Sequence, residues 1–204
     1  NNNPQEVTPL VDKFAKANEI VLNMSLVFLC TVFENFLEHI LKVVFDSNPR
    51  VLLGISKDKN LSLERVLELT SYGEILQEFK DKYLYHFDRQ GVEEKLRVFY
   101  SLGFTKEKLF SWVIFTPEVK AKFAAYDDKA LVDIFEKRHS IVHNNLYPVS
   151  NLEQLLTTKD FLTKLVFNFA IQASKKYYKY GVLLDAHAIM RESIKIEGGD
   201  PEAY

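Results

Sequence analysis

Apolar residues recur every three or four positions through most of this chain, the period of helices with one buried face. No pair of alternating segments joined by a hairpin turn appears, so the pattern predicts helices and almost nothing else. Leu10, Phe14, Ala17, Val21, Met24, Phe28, Val32, Phe36, Ile40 and Val44 keep helical spacing. They predict a long first helix with Thr8 as N-cap and Pro9 in its first turn, stopped by Asp46-Ser47-Asn48-Pro49. That length is unusual for a globular helix, and a kink or break is expected near residues 18–25. A loop over about 46–60 leads to a short helix from about Ser62. Ser71-Tyr72-Gly73-Glu74 has the form of a capping box and opens a helix to about His86. Helices near 90–101, 106–114 and 117–125 follow, the last opened by Thr116-Pro117-Glu118. Asp127-Asp128 caps the next helix, and Ser150-Asn151-Leu152-Glu153 reads as a second capping box before a last long helix ending ahead of Gly181. The expected fold is all-α, a single-domain helical bundle over residues 9–196 with long first and last core helices. Residues 1–8 and 197–204 are expected as flexible ends.

Composition agrees with that picture and narrows the chemistry. A chain of 204 residues, 47% hydrophobic, is long enough to bury a core without staples. Its net charge of −2 gives no global attraction to nucleic acid, so any RNA contact needs a local cationic patch. The one cysteine, Cys30, excludes an internal disulfide and fits a reducing compartment. It lies in the apolar run Val27-Phe28-Leu29-Cys30-Thr31-Val32 and reads as a small buried residue rather than a nucleophile. The most apolar run, residues 20–33, is bounded by Glu19 and Glu34. It is shorter than the roughly 20 residues a bilayer span needs, so no membrane partner is expected. The chain opens Asn1-Asn2-Asn3-Pro4 with no initiating methionine and no evident targeting segment, and a cytoplasmic location is expected.

One window concentrates the chemistry: Phe135-Glu136-Lys137-Arg138-His139-Ser140-Ile141-Val142-His143-Asn144-Asn145. Arginine binds phosphate through a planar, permanently charged fork, and histidine exchanges a proton near neutral pH. Phosphodiester cleavage without a metal uses both abilities. At about 100° per residue, Leu131, Ile134, Phe135, Ile141 and Val142 form one apolar arc with Arg138 at its centre. A guanidinium there is costly unless it is paired or the face is an interface. A structural ion pair is the plainer alternative. Arg138 and His143 are five residues apart, about 140° around the axis, so one straight helix cannot aim both at a single phosphate. They converge if the helix loosens at His143-Asn144-Asn145, or if a second copy supplies the partner group.

Arg138-His139-Ser140-Ile141-Val142-His143 resembles the signature of HEPN domains, helical domains of prokaryotic toxin and RNA-processing systems. In that pattern an arginine, usually followed by a polar residue, is separated from a histidine by four to six intervening residues; here four intervene and His139 fills the polar position. Phe135-Glu136 before the motif, Asn144-Asn145 after it, and Phe33-Glu34-Asn35-Phe36-Leu37-Glu38 on the first helix are similar surroundings. The resemblance covers roughly residues 10–180, with most of its specificity in 135–147. It implies a metal-independent endoribonuclease that works as a homodimer, with two motifs facing one cleft. His143 would assist proton transfer from an RNA 2′-hydroxyl, Arg138 would hold the phosphate, His139 would orient Arg138 or contact the phosphate, and Asn144 would help position His143. No cofactor is implied. A cognate antitoxin or regulatory partner is a further implication, and a non-catalytic dimerisation or RNA-binding module is the alternative.

The remaining signals are thinner. His39, His86 and His187 are isolated and read as surface or satisfied core histidines. His139 and His143 have the spacing of a zinc-binding pair, but Ser140 stands where an HExxH motif has glutamate, so no metal is expected. There is no glycine-rich phosphate loop. Lys175-Lys176-Tyr177-Tyr178-Lys179-Tyr180 interleaves charge and aromatics, which suits phosphate contact and base stacking. Lys175, Lys176, Lys179 and Tyr178 are therefore the expected RNA contacts. A solvated helix end, whose lysines complement the helix dipole, is the alternative.

Overall fold

The structure is a computed structural model that describes residues 4–55, 65, 68–69, 71–112 and 115–177, with side chains from residue 12 onward. Among these residues it is all-α, without strands: α1 (Pro4–Ser47), α2 (Val51–Ile55), α3 (Tyr72–Asp88), α4 (Val92–Ser101), α5 (Lys106–Leu109), α6 (Pro117–Phe123), α7 (Asp128–Asn144) and α8 (Leu152–Tyr177). The 44-residue α1 is the spine. α8 and α7 pack against it, and α3 lies against its C-terminal half.

α1 runs unbroken through residues 18–25, where a kink was expected. Its polar side chains are absorbed rather than disruptive. Ser25 Oγ donates to the Val21 carbonyl at 2.8 Å and Thr31 Oγ1 to the Val27 carbonyl at 3.0 Å, back-bonds that a helix tolerates. Asn23 Nδ2 donates to Glu19 and to Val149, and Val149 N–H returns a bond to Asn23 Oδ1 at 3.0 Å. The helix also starts earlier than expected, taking in residues 4–8 and carrying Pro9 in its interior.

The face of α1 that enters the core is not the stripe that its spacing singled out. Leu22, Leu26, Cys30, Phe33, Leu37, Leu41 and Val44 are buried, whereas Phe14, Val21, Met24, Phe28 and Val32 are exposed. From Phe28 onward the traced stripe advances in steps of four, longer than the 3.6-residue turn, so it drifts around the helix and only its end, from Phe36 to Val44, reaches the core. By length and composition residues 12–47 would pass for a membrane span, contrary to the length argument above, with a third of the most apolar stretch buried in the bundle. The polar groups inside it, Asn23 and Glu34, have partners on other segments of this chain.

Elsewhere the local signals hold, with shifts of a few residues. Ser71 caps α3 by accepting from Glu74 N–H at 3.2 Å. Asp127 caps α7 through Lys129 and Ala130. The second box is displaced by one: Asn151, not Ser150, accepts from Gln154 N–H at 2.9 Å, while Gln154 Oε1 accepts from Ser150 N–H at 3.2 Å. The loop expected over 46–60 contains α2, whose first turn is set by Asn48 and Pro49 carbonyls. α5 stops at Leu109 instead of 114, because Asn168 Nδ2 takes the Leu109 and Ser111 carbonyls. Most of the helix expected from Ser62, the end of the last helix, His187 and the 197–204 tail lie outside the described residues.

Candidate functional site

α7 carries the motif, and its registry follows from its apolar arc. Leu131, Ile134, Phe135 and Ile141 are buried on the side of the helix that packs against α1 and α4, with the Phe135 ring 6.2 Å from that of Phe33. Val142 is the exception at 51% exposed, so the arc opens to solvent beside its last turn. The helix does not loosen at His143. It stays regular to Asn144 and is terminated by Asn145 in the left-handed region (φ 53°), with Asn145 and Leu146 N–H groups both donating to the Ser140 carbonyl. Tyr147 Oη then donates to Asn145 Oδ1 at 3.0 Å and braces this turn.

Arg138 is one-third exposed, and its guanidinium lies 3.6 Å from the Glu34 carboxylate. Glu34 has a stronger claim on its other oxygen: Lys95 Nζ donates to Oε1 at 2.8 Å, and the Lys95 side chain is only 1% exposed. A carboxylate shared between two cations leaves the triad with a net charge of +1. Lys95 holds Glu34 at hydrogen-bond distance, and Arg138 is the looser partner, its Nε buried without a hydrogen bond. Cys30 completes the cluster. Burial pushes its thiol up to about 12, Arg138 opposes the shift and Glu34 adds to it, so Cys30 is a neutral, inert filler as its apolar surroundings predict.

His139 and His143 point elsewhere. Both are exposed, one helical turn apart, with ring centroids 4.4 Å apart and planes inclined at 40°. α7 runs antiparallel to α1, since Asn23 meets Val149 and Glu34 meets Arg138. In an antiparallel pair of right-handed helices, residues one step beyond each contact position, about 100° on, fall on the same side of the pair. Here those are Thr31 and Asn35 beyond Cys30 and Glu34, and His139 beyond Arg138, all exposed. The histidines therefore share a face with the exposed Met24 and Phe28 of α1. Within one chain Arg138 turns toward Glu34 and the histidines toward this open face, as the 140° separation required. Asn144 is exposed on the last turn.

The cationic run at the end of α8 is remote from this site. Glu34, opposite Arg138, and Ser47, which shares an open cavity with Lys176, are thirteen residues apart on one helix (34 to 47). That is roughly 20 Å at 1.5 Å per residue, and the histidines lie farther still toward Asn23. Lys175 and Lys176 are exposed. Tyr177 is not free to stack on a base, because its hydroxyl donates to the Leu102 carbonyl at 2.6 Å and its ring stacks on Phe104. Tyr178, Lys179 and Tyr180 lie outside the described residues. Among the described residues no group of three or more His, Cys, Asp or Glu side chains could hold a metal.

Lys95 is the site residue that sequence reasoning passed over. Its signal was present: Val92, Lys95, Leu96 and Phe99 are spaced i, i+3, i+4, i+7 and are all buried, which puts a lysine on the core face of α4. A lysine there needs an anion, and Glu34 is that anion. Compared with family models, with curated proteins and with solved structures, the chain matches none.

Proposed function

We propose that this chain is a metal-independent endoribonuclease of HEPN type that works as a homodimer in the cytoplasm, as a toxin, defence or RNA-processing nuclease. The observation that carries the reading is a loosely held, part-exposed Arg138 followed on the same helix by two solvent-facing histidines, His139 beside it and His143 one turn on. The bond broken is the RNA phosphodiester. The 2′-oxygen attacks phosphorus as His143 takes its proton, the 5′-oxygen leaves and is protonated, and a 2′,3′-cyclic phosphate and a 5′-hydroxyl result. Arg138, released from a 3.6 Å pair, stabilises charge that develops on the phosphate oxygens. A second copy supplies the geometry that one helix lacks, since its motif can present a histidine to this chain's arginine across the shared face. The exposed stripe of α1 and the exposed Val142 and Leu146 beside the motif are the apolar surface such a dimer would cover.

Purified protein incubated with mixed cellular RNA in EDTA tests this directly. Wild type should cleave, DNA of the same sequence should resist, and Arg138→Ala and His143→Ala should each lose cleavage at least a hundredfold with helicity retained. Cleavage by His143→Ala at the wild-type rate would sink the proposal. The Lys95–Glu34–Arg138 network favours a second reading, a non-catalytic dimerisation or RNA-binding module in which Arg138 is a structural charge. It predicts RNA left intact, together with unfolding when Arg138 is removed.

A further inference from the structure

His139 and His143 offer something that nucleolytic chemistry does not require. Two exposed imidazoles one turn apart are a ready chelate, because both project from one face of a helix that already fixes their spacing. The two ring centroids lie 4.4 Å apart, a separation that one ion with metal–nitrogen bonds of about 2.0 Å can bridge. Imidazole nitrogens suit copper and nickel, and the four-ligand protein set that closes a structural zinc site is absent among the described residues. The helix holding them is fixed by the buried Ile134, Phe135 and Ile141 and by the Asn145 cap, so little backbone ordering remains to oppose binding.

We propose that His139 and His143 form a two-nitrogen binding site for a divalent nickel- or copper-type ion, and that an ion bound there inhibits the chain. Water fills the remaining coordination positions, since no third protein ligand stands within reach among the described residues. The site is therefore exchangeable and is removed by chelators. The inhibitory part rests on the proposed nuclease reading. A nitrogen whose lone pair is committed to a metal cannot take the proton of a 2′-hydroxyl, so the bound ion blocks the step assigned to His143.

Calorimetric titration of the full chain with nickel chloride alone tests the site. One ion per chain is expected, with affinity at least tenfold weaker in both His139→Gln and His143→Gln, and with nickel raising the melting temperature of wild type only. The exposed positions of both residues leave folding intact, which helicity at 222 nm checks. Equal affinity in wild type and both variants, or no heat and no thermal shift in wild type, overturns the site. Inhibition is read separately on wild type, where nickel should stop RNA cleavage and excess EDTA restore it. Cleavage undiminished when the site is saturated overturns the inhibitory role. A wild type that binds nickel but never cleaves RNA leaves the chelate standing and removes the nuclease reading instead.

Discussion

Among the charged residues Lys95 has the most to lose from a change of partner. A lysine at 1% exposure is tolerable only beside its carboxylate. Lys95→Met should leave Glu34 with only the looser Arg138 and cost about 3 kcal/mol in urea unfolding, as breaking a buried pair does. Glu34→Gln on top of it should restore more than half of that loss, a non-additivity that a merely crowded site would not give. Cys30 supplies a pH test. Its pKa is raised from 9.0 in the unfolded chain to about 12 in the folded one. The folded state thus keeps the proton longer, so its contribution is fully present below pH 9.0 and is lost as pH rises through the interval to about 12. Wild type should lose on the order of 1 kcal/mol more than Cys30→Ala between pH 8 and 10. Parallel stability curves for the two would show that Cys30 does not titrate late.

At the scale of the element, α1 decides most. Phe14, Val21, Met24 and Phe28 leave an exposed apolar seam with a 3.5-residue repeat, the period at which one helix packs along another. Sedimentation at tens of micromolar should therefore show a dimer, and Phe28→Glu should shift it to monomer without loss of helicity. A wild type that stays monomeric at that concentration would remove the interface, and with it the route by which two motifs share a cleft. The heptad phasing was legible in the sequence. Its meaning was not, because residues 20–33 are apolar on nearly every side, and a helix of that kind does not announce which face it buries.

Across the whole molecule the question is how RNA would reach the motif. The lysines at the end of α8 stand roughly 20 Å from Arg138 along the spine, by helix rise. A dinucleotide cannot span that gap at about 3.4 Å per nucleotide of strand. Lys175→Glu with Lys176→Glu should accordingly leave dinucleotide cleavage unchanged while weakening the binding of long RNA and flattening its salt dependence. Long-RNA affinity and salt slope that do not move would assign those lysines to an ordinary solvated helix end.

Spacing of a few residues along single segments was enough for the helical class, most element boundaries and the caps at Ser71 and Asp127. It also determined that Arg138 required a partner. Tertiary structure alone decided who the partner is. Glu34 and Lys95 come from α1 and α4, and only their packing against α7 brings three charges together. It decided too that Arg138 and the histidines diverge, that Tyr177 is spent on Leu102, and that the stripe traced on α1 faces outward. Those outcomes depend on which surfaces meet, a property of the assembled bundle that no single helix carries in its own periodicity.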